Sequence, residues 1–358
     1  MKKTRILVVE DSLTVRRRLV EVLKADAELE VVGEAEDGKT AIELCQKLRP
    51  DAITLDMMLP IMSGLAATEY IMAYCPTPIL IVSSSTNRGE LFKTYEALAA
   101  GAVDVLEKPT GDEDDDDWER ALAAAVKVVA RIKVITHPRA KLSPRALPAR
   151  PLPRSGTNDV VSKQRLIAIG ASTGGPGAIL EILRGLPPAF PLPILLVLHL
   201  GEPFANTFAE WLDGQSPMRA DYARHGDPLP RVGEGKVVMA PPDRHLVLHE
   251  GRLLLTGGAE RHSCRPSVDV LFESLAREMG AECAACLLTG MGKDGAEGLL
   301  AIRQSGGATF AQDEETSVVF GMPRAAIELG AAERVLPLHQ IAPGLIGLAG
   351  YSESRGRL

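Results

Sequence analysis

Short apolar runs alternate with helix-length segments along the first 134 residues of the chain. Each run has the length and aliphatic content of a buried strand. The predicted strands are Ile6–Val9, Glu30–Gly33, Ala52–Leu55, Ile79–Val82 and Ala102–Val105. Repeated β-α units of this kind predict an α/β domain with a parallel sheet and helices on both faces. In such sheets, ligands bind beyond the carboxyl ends of the strands.

The same alternation resumes after residue 165. The predicted strands of this part are Leu166–Ile169, Ile194–Leu198, Val237–Ala240, Cys283–Leu288 and Ala308–Ala311. Two further apolar runs, 245–248 and 251–256, have the spacing of a β-hairpin. Together these runs predict a second doubly wound α/β domain whose sheet is mostly parallel.

The segment between the two α/β patterns has a different composition. An acidic run over 111–117 predicts a solvated loop, and apolar residues at helical spacing predict a helix from Trp118 to Val134. From 135 to 164 the chain is rich in proline and arginine and has almost no periodicity, which indicates a semi-extended linker. We therefore predict a first domain over 1–134, a linker over 135–164 and a second domain over 165–350.

Bulk composition narrows the class of protein. Of 358 residues, 46% are hydrophobic but only 4% are aromatic, which suits an aliphatic α/β core. The net charge of −7 argues against broad nucleic-acid binding. The amino-terminal apolar run is too short for a signal peptide, and no apolar stretch reaches the roughly 18 residues of a membrane span. We expect a cytoplasmic protein that is not inserted in a membrane.

The five cysteines are few and odd in number, which does not suggest a disulfide framework. Cys283 and Cys286 form a C-x-x-C pair, but they lie within an apolar run, and the sequence has no second pair to complete a zinc site. We expect both to be core residues rather than metal ligands or redox groups.

Polar residues follow the strands of the first domain and should meet at one edge of its sheet. Glu10 and Asp11 follow the first strand, Asp56 the third, Ser83 the fourth and Lys108 the fifth. Three converging carboxylates repel one another, and Mg²⁺, which prefers oxygen ligands, would relieve that repulsion. Asp56 then becomes a nucleophile for phosphoryl transfer, with Lys108 and the Ser83 hydroxyl beside the acyl phosphate. Taken singly, each residue could instead be a cap or a solvated side chain.

In this order, these residues resemble the receiver domain of response regulators. The resemblance covers residues 1–130 and is carried by Val9-Glu10-Asp11-Ser12, Leu55-Asp56-Met57-Met58-Leu59-Pro60, Val82-Ser83-Ser84 and Glu107-Lys108-Pro109. It implies that Asp56 accepts a phosphoryl group from a histidine kinase. The chain departs from the family at Val105, where receivers often carry an aromatic switch residue, and at Met58, where a polar residue is frequent.

A glycine-rich turn follows the first strand of the second domain, with the sequence Gly170-Ala171-Ser172-Thr173-Gly174-Gly175-Pro176. Pro176 favours the start of a helix, so the turn leads from strand to helix with Ser172 at its crest. A hydroxyl nucleophile beside the N–H groups of a helix N-terminus suits attack on an ester or amide carbonyl. The alternatives are a phosphate cradle, although the G-x-G-x-x-G spacing is absent, and a plain helix cap.

A serine nucleophile needs a base and an acid that orients the base. His199 directly follows the predicted strand Ile194–Leu198, and Asp294 lies in a glycine-rich turn after Cys283–Leu288. All three side chains should therefore meet at one sheet edge, where Asp294 would fix the tautomer of His199. The alternatives are a satisfied histidine at a strand end and an aspartate that caps the helix after it. The chain order Ser, His, Asp differs from that of α/β-hydrolases.

Longer motifs around these residues resemble the catalytic domain of the chemotaxis receptor methylesterase (CheB) family. They span about 165–340 and comprise Gly170–Pro176, His199, Arg265–Phe272, Leu288–Gly298, Ala311–Glu314 and Val319–Pro323. Leu200 and Gly201 stand where the family usually has Met-Pro, and Lys293 stands where Asn is usual. These differences favour a branch outside the main flagellar chemotaxis set.

The resemblance implies hydrolysis of glutamate γ-methyl esters on the cytoplasmic domains of chemoreceptors, with deamidation of receptor glutamines as a second activity. Ser172 would attack, His199 would transfer the proton and Asp294 would orient His199. The backbone N–H of Met291, with the Thr173 hydroxyl nearby, would hold the oxyanion, and no metal would be needed. The implied partners are methylated chemoreceptors and the histidine kinase of a chemosensory array.

The family also implies that the unphosphorylated first domain packs over the esterase site. Arg265 and Ser267 are expected to line the approach to an acidic receptor surface, with helix capping as the alternative for Ser267. The competing class of function is a response regulator whose second domain only binds a partner.

Overall fold

The computed structural model describes residues 3–84, 87–108, 115–132, 134, 163–201 and 203–350. They form two α/β units that pack against each other, each built on a parallel sheet, so the predicted fold class is confirmed. Most of the predicted linker, 135–162, lies outside the described residues, as do 109–114 with the first part of the acidic run.

The first unit is a five-stranded sheet with helices on both faces. Its strands β1 to β5 are Thr4–Val9, Leu29–Ala35, Ala52–Leu55, Ile79–Ser83 and Asp104–Glu107. Its helices α1 to α5 are Leu13–Ala25, Gly38–Leu48, Gly64–Tyr74, Arg88–Ala99 and Asp115–Val129. The strand order β2-β1-β3-β4-β5 places the carboxyl ends of β1 and β3 side by side at the centre of one edge.

Two predicted boundaries in the first unit are wrong. The fifth strand is Asp104–Glu107 rather than 102–105, and Val103, which donates its N–H to Ile79 O at 2.9 Å, lies just before it. The last helix is Asp115–Val129 rather than 118–134. The final aspartates of the acidic run therefore begin this helix instead of forming a loop, consistent with the preference of carboxylates for a helix N-terminus.

The second unit contains a seven-stranded sheet, a small antiparallel sheet and six helices among the described residues. Its strands β6 to β15 are Leu166–Ala171, Ile194–Leu198, Arg219–Tyr222, Asp227–Pro228, Lys236–Met239, His245–His249, Arg252–Thr256, Cys283–Leu287, Ala308–Gln312 and Arg334–Leu336. Its helices α6 to α11 are Gly175–Gly185, Phe208–Gln215, Val268–Glu278, Ala296–Gln304, Met322–Glu328 and Leu338–Leu348. No helix in the described ranges is long and apolar enough to cross a membrane.

The large sheet has the order β15-β14-β13-β6-β7-β10-β8, and all its ladders are parallel. The predicted hairpin is confirmed as β11 and β12, to which β9 adds a third, short strand. The central strands β6, β7 and β13 are buried along their whole length. Cys283 and Cys286 lie on β13 with no exposed surface, so their prediction as core residues is confirmed.

Helix α4 anchors the first unit to the second. The Tyr95 ring is completely buried, with its centroid 5.3 Å from that of Phe208 in an edge-on contact and 5.4 Å from that of Trp211. Its hydroxyl donates to Phe204 O and lies 2.7 Å from Thr207 Oγ1. Burying one large side chain contributes roughly 1.5–3 kcal/mol, so this tyrosine is a substantial part of the contact between the units.

Candidate active site

Ser172 lies in the turn between β6 and α6. Ser172 N donates to Thr289 O at 3.0 Å, which ties the turn to the loop after β13, and Gly175 N donates to Ser172 O at 2.7 Å. Gly174 is the N-cap residue with φ +77°, a left-handed conformation that favours glycine. The predicted helix start at Pro176 is confirmed within one residue. Within the described residues, the Ser172 hydroxyl makes no hydrogen bond.

A second turn, after β13, packs directly against the serine. A Cβ atom on Gly290 would lie 2.8 Å from Ser172 Cβ and 2.3 Å from Met322 Sδ, so only glycine fits. Gly290 O accepts hydrogen bonds from the N–H groups of Gly321 and Met322 at 3.1 and 2.9 Å. The position of Ser172 is therefore set from both sides, by its own tight turn and by this neighbouring loop.

His199 and Asp294 form a direct hydrogen bond at the same sheet edge. His199 follows β7, and its N–H donates to Ala171 O at 3.0 Å, next to the serine. Its Nε2 lies 2.9 Å from Asp294 Oδ2. The two residues predicted from strand ends 95 positions apart are thus brought together.

The N-terminus of helix α8 holds the Asp294 carboxylate. Oδ1 accepts from Ser267 Oγ at 2.7 Å and from Asp269 N at 3.1 Å, and Oδ2 accepts from Val268 N at 2.7 Å. Free N–H groups at a helix N-terminus stabilise an anion. The carboxylate therefore has one orientation, with Oδ2 directed at His199.

Three expectations for this region need correction or refinement. Asp294 does not cap the following helix α9, whose N-cap is Gly295, because its carboxylate is directed instead at the start of α8. Ser267 does not line the approach, since it is completely buried and caps α8. Arg265 does border the pocket, but its guanidinium is paired with Asp243, with Nε at 2.8 Å from Oδ1.

The charge of the pair follows from burial and mutual contact. Burial disfavours the imidazolium, but the hydrogen bonds to Asp294 and Cys264 outweigh it and raise the pKa of His199 to about 9. Burial would likewise raise the pKa of Asp294, but the hydrogen bonds from His199, Ser267 and Val268 hold it below its usual range. An ionised Asp294 beside His199 favours the proton on Nε2 and stabilises the imidazolium.

A pocket of about 370 Å³ joins the serine, the histidine and both units. The second unit contributes Ser172, Thr173, His199, Leu200, Gly201 and the segment Ser263–Pro266, and the first contributes Asp104 and Val105. No hydrogen bond joins Ser172 Oγ to His199 in the part of the chain that the structure describes. Burial raises the pKa of the Asp104 carboxyl to about 6.

Cys264, which was not predicted as a site residue, places its Sγ 3.6 Å from His199 Nδ1. The number and spacing of the cysteines give no indication of a role for Cys264. The signal that could have identified this thiol is its place directly before the Arg265-Pro266-Ser267 segment.

Thr173 and Met291, the expected oxyanion donors, both lie on turns that adjoin Ser172. Thr173 O accepts from Thr289 Oγ1 at 2.9 Å, and its side chain lines the pocket. Met291 directly follows Gly290, and its side chain is 55% exposed. Its N–H donates no hydrogen bond to any other described residue, so it is free to serve a ligand.

The first unit brings together the carboxylates predicted at its sheet edge. Ligand atoms of Glu10, Asp11 and Asp56 all lie within 4.8 Å of one another. Lys108 Nζ lies 2.8 Å from Glu10 Oε2 and 3.0 Å from Asp56 Oδ2, and Lys108 N donates to Ser83 O at 3.0 Å. The five predicted residues thus meet at one edge.

This carboxylate cluster suits a hard cation. Burial raises the pKa of Glu10. Burial alone would lower the pKa of Lys108, but the interactions of its ammonium with Asp56 and Glu10 outweigh this effect and raise the pKa. The Oε2 atom of Glu10 is buried and, despite the nearby ammonium, accepts no well-aligned hydrogen bond. Oxygen-only donors with an unsatisfied carboxylate fit Mg²⁺.

Comparison with known families matches both units. The model of the CheB methylesterase family matches residues 167–345, and that of the response regulator receiver domain matches residues 6–115. The chain belongs to the CheB methylesterase family. It carries that family's methylesterase domain behind a receiver domain, as the motifs indicated.

The curated relatives support this assignment over nearly the whole chain. A protein-glutamate methylesterase/protein-glutamine glutaminase of Pseudomonas aeruginosa is 44% identical over 357 residues, covering 99% of each chain. One from Anaeromyxobacter dehalogenans is 43% identical over 342 residues, covering 95% of this chain and 96% of the relative. The crystal structure of the Thermotoga maritima CheB methylesterase catalytic domain is 38% identical and covers 52% of this chain and 98% of its own, with a TM-score of 0.49.

Proposed function

We propose that this chain hydrolyses glutamate γ-methyl esters on chemoreceptors and deamidates receptor glutamines, using Ser172 as nucleophile, His199 as base and Asp294 as the residue that orients the base. The supporting observation is the 2.9 Å contact from Asp294 Oδ2 to His199 Nε2, with the carboxylate fixed by α8. The names of the curated relatives support methyl esters of protein glutamates and protein glutamines as substrates, and the family resemblance supports chemoreceptors as the proteins that carry them.

Because Asp294 accepts from Nε2, the nitrogen left to act as base is Nδ1. It takes the proton of Ser172 Oγ while that oxygen attacks the ester carbonyl, and returns it to the departing methoxide, so methanol leaves. A water molecule then gives a proton to Nδ1 and attacks the acyl-serine, which restores the Ser172 hydroxyl and leaves a glutamate carboxylate. With glutamine as substrate, the group that leaves is ammonia.

The developing oxyanion is assigned to the N–H of Met291, with the Thr173 hydroxyl beside it. Support comes from the position of both turns against Ser172 and from the free N–H of Met291. Preset donors of this kind each contribute about 2.7–4 kcal/mol to transition-state stabilisation in comparable sites. The proposed esterase step uses no metal ion.

Regulation is assigned to the first unit. In this proposal Asp56 accepts a phosphoryl group from a histidine kinase, with Glu10, Asp11 and Asp56 holding Mg²⁺, which would offset the charge of that group. Strand β5 supports a link to the esterase site, because it leads directly to Lys108 and carries Asp104 and Val105, which line the pocket. A charge change at Asp56, beside the Lys108 ammonium, would then shift the packing of β5 over the site.

Methanol release from methylated receptor membranes tests the proposal. We expect release with matching appearance of receptor glutamate, an increase of several-fold with acetyl phosphate, and no increase in Asp56→Asn. The differences from the usual family residues at Leu200, Gly201 and Lys293 favour, as substrates, the receptors of a chemosensory array outside the main flagellar set. Receptor binding without any methanol would instead support a partner-binding second domain.

A further inference from the structure

Cys264 is held rigidly beside the proposed base. The N–H groups of Arg261 and Cys264 each donate to the other's carbonyl, at 3.2 and 3.0 Å. The two residues between them, His262 and Ser263, have φ of 53° and 59°. This tight turn fixes the backbone of a half-buried thiol that opens into the Ser172 pocket.

The distance from Cys264 Sγ to His199 Nδ1, 3.6 Å, is that of two ligands on one tetrahedral zinc ion. Zinc binds thiolate sulfur at about 2.3 Å and imidazole nitrogen at about 2.0–2.1 Å, so a tetrahedral angle separates the two ligand atoms by about 3.6 Å. The separation of the two atoms therefore allows both to bind one ion.

The surroundings of His199 are also those of a metal ligand. A histidine that binds zinc commonly donates its other ring N–H to a carboxylate, which fixes the ring and raises its basicity. Asp294 does this at Nε2. Its own oxygens are fully engaged by Ser267, Val268 and Asp269, so it would support the site rather than bind the ion.

We propose that Cys264 and His199 form a binding site for Zn²⁺ in the esterase pocket, with water in the remaining positions, and that the bound ion blocks the esterase. Binding replaces the thiol proton and any proton on Nδ1, which are released to solvent, so the affinity rises with pH. The inhibitory part rests on the proposed function, because the ion takes the lone pair that the base needs. The binding of Zn²⁺ itself does not depend on the proposed function.

Two other clusters of candidate ligands would not compete for zinc in the same way. Glu10, Asp11 and Asp56 offer only oxygen atoms, which favour Mg²⁺ over a thiophilic ion. His262, Asp269 and Glu297 are close together, but Arg261 already lies between the two carboxylates, with Nη2 at 2.6 Å from Glu297 Oε2 and Nε at 3.6 Å from Asp269 Oδ2. A guanidinium there repels a cation.

Binding of a metal ion to Cys264 and His199 can be tested with Co²⁺, which binds at zinc sites and gives complexes that absorb visible light. The full chain in excess Mg²⁺ should give a thiolate-to-cobalt charge-transfer band on titration with Co²⁺, and Zn²⁺ should abolish it. Cys264→Ser should lose the band and bind Zn²⁺ more than about 100-fold more weakly, since loss of a direct ligand should cost at least as much as loss of a supporting residue. Ser263→Ala, in the same turn, should keep the band.

A missing band in the wild type, or a band that persists in Cys264→Ser, would overturn the proposal. The inhibitory part is measured separately as Zn²⁺ inhibition of methanol release, with each variant normalised to its own rate in a chelator. We expect inhibition of the wild type and a shift of more than about 100-fold in Cys264→Ser. If zinc binds without inhibiting methanol release, only the inhibitory part of the proposal is rejected. If the metal-free chain has no esterase activity, the proposed function is rejected and the metal site is not.

Discussion

Asp294 is the most firmly held side chain among the proposed catalytic residues. Its oxygens contact Ser267 Oγ, the N–H groups of Val268 and Asp269, and His199 Nε2. Hydrogen bonds to an ionised group contribute more than those between neutral groups. We therefore expect activity to require a side chain at position 294 that accepts hydrogen bonds at both oxygens.

Replacement of Asp294 by asparagine should lower kcat/KM by about 10³-fold or more, because an amide puts a donor NH2 where the carboxylate has an accepting oxygen, and an NH2 directed at His199 Nε2 favours the wrong tautomer. The measurement is methanol release at saturating phosphodonor. Asp221→Asn, at an exposed position on β8, is the matched control and should change the rate by less than twofold. A loss below tenfold in Asp294→Asn would speak against an orienting role.

The pH dependence of the esterase should reflect the raised pKa of His199. A base must be neutral, and the pKa of His199 is about 9 rather than the ordinary 6.5. We expect kcat/KM to rise with pH through a midpoint above 6.5, and Cys264→Ala to lower that midpoint because one partner of the imidazolium is lost. A midpoint at or below 6.5 in the unphosphorylated wild type would contradict the assignment.

The same pKa shift links pH to folding. His199 binds its proton more tightly in the folded chain, so the stability that it contributes is fully present below pH 6.5 and is lost as pH rises through about 9.

At the scale of secondary-structure elements, the residues at strand ends could be predicted from the sequence. The contact of a helix N-terminus with a residue far away in the chain could not. His199 and Asp294 were assigned to one edge because each follows an apolar run, and parallel strands share that edge. The contact of Asp294 with the start of α8 depends on the packing of elements far apart in the chain, which no local pattern reveals. Strands β8 and β15 were missed because they are short and carry exposed residues.

Gly290→Ala should damage the turn after β13. The new methyl group would meet Met322 Sδ at 2.3 Å and Ser172 Cβ at 2.8 Å, and such overpacking costs roughly 1–3 kcal/mol. We expect a lower Tm and a loss of methanol release larger than the loss of folded protein. Gly347→Ala, in α11 with nothing within 4 Å of the new Cβ, should be neutral or slightly stabilising. Equal behaviour of the two variants would show that the close approach at Gly290 is unimportant.

At the scale of the whole molecule, the two units share a core and a pocket. Leu91 and Tyr95 of α4 pack in the same apolar cluster as Phe208 and Trp211, while Asp104 and Val105 line the esterase pocket. Val105, at the position where receivers often carry an aromatic residue, packs against this cluster and against that of the first unit. The family resemblance implied that the first domain packs over the esterase site, but the individual contacts of Tyr95, Asp104 and Val105 join residues far apart in the chain, which no local pattern reveals.

Tyr95→Ala should weaken the contact between the units and raise the esterase rate of the unphosphorylated full chain by several-fold, with a correspondingly smaller increase on adding acetyl phosphate. Tyr74→Ala, at a 60% exposed position on α3, should behave like the wild type. Circular dichroism would verify that both variants fold. An unchanged basal rate in a folded Tyr95→Ala chain would mean that this contact does not restrain the esterase.

The most direct test is methanol release from methylated receptor membranes by Ser172→Ala and Ser263→Ala, two serine-to-alanine changes in the same pocket. Loss of a nucleophile typically lowers the rate by several orders of magnitude. We predict a fall of at least about 10³-fold for Ser172→Ala and a rate within about threefold of the wild type for Ser263→Ala. Methanol release by Ser172→Ala within tenfold of the wild type would contradict the assignment of this hydroxyl as the nucleophile.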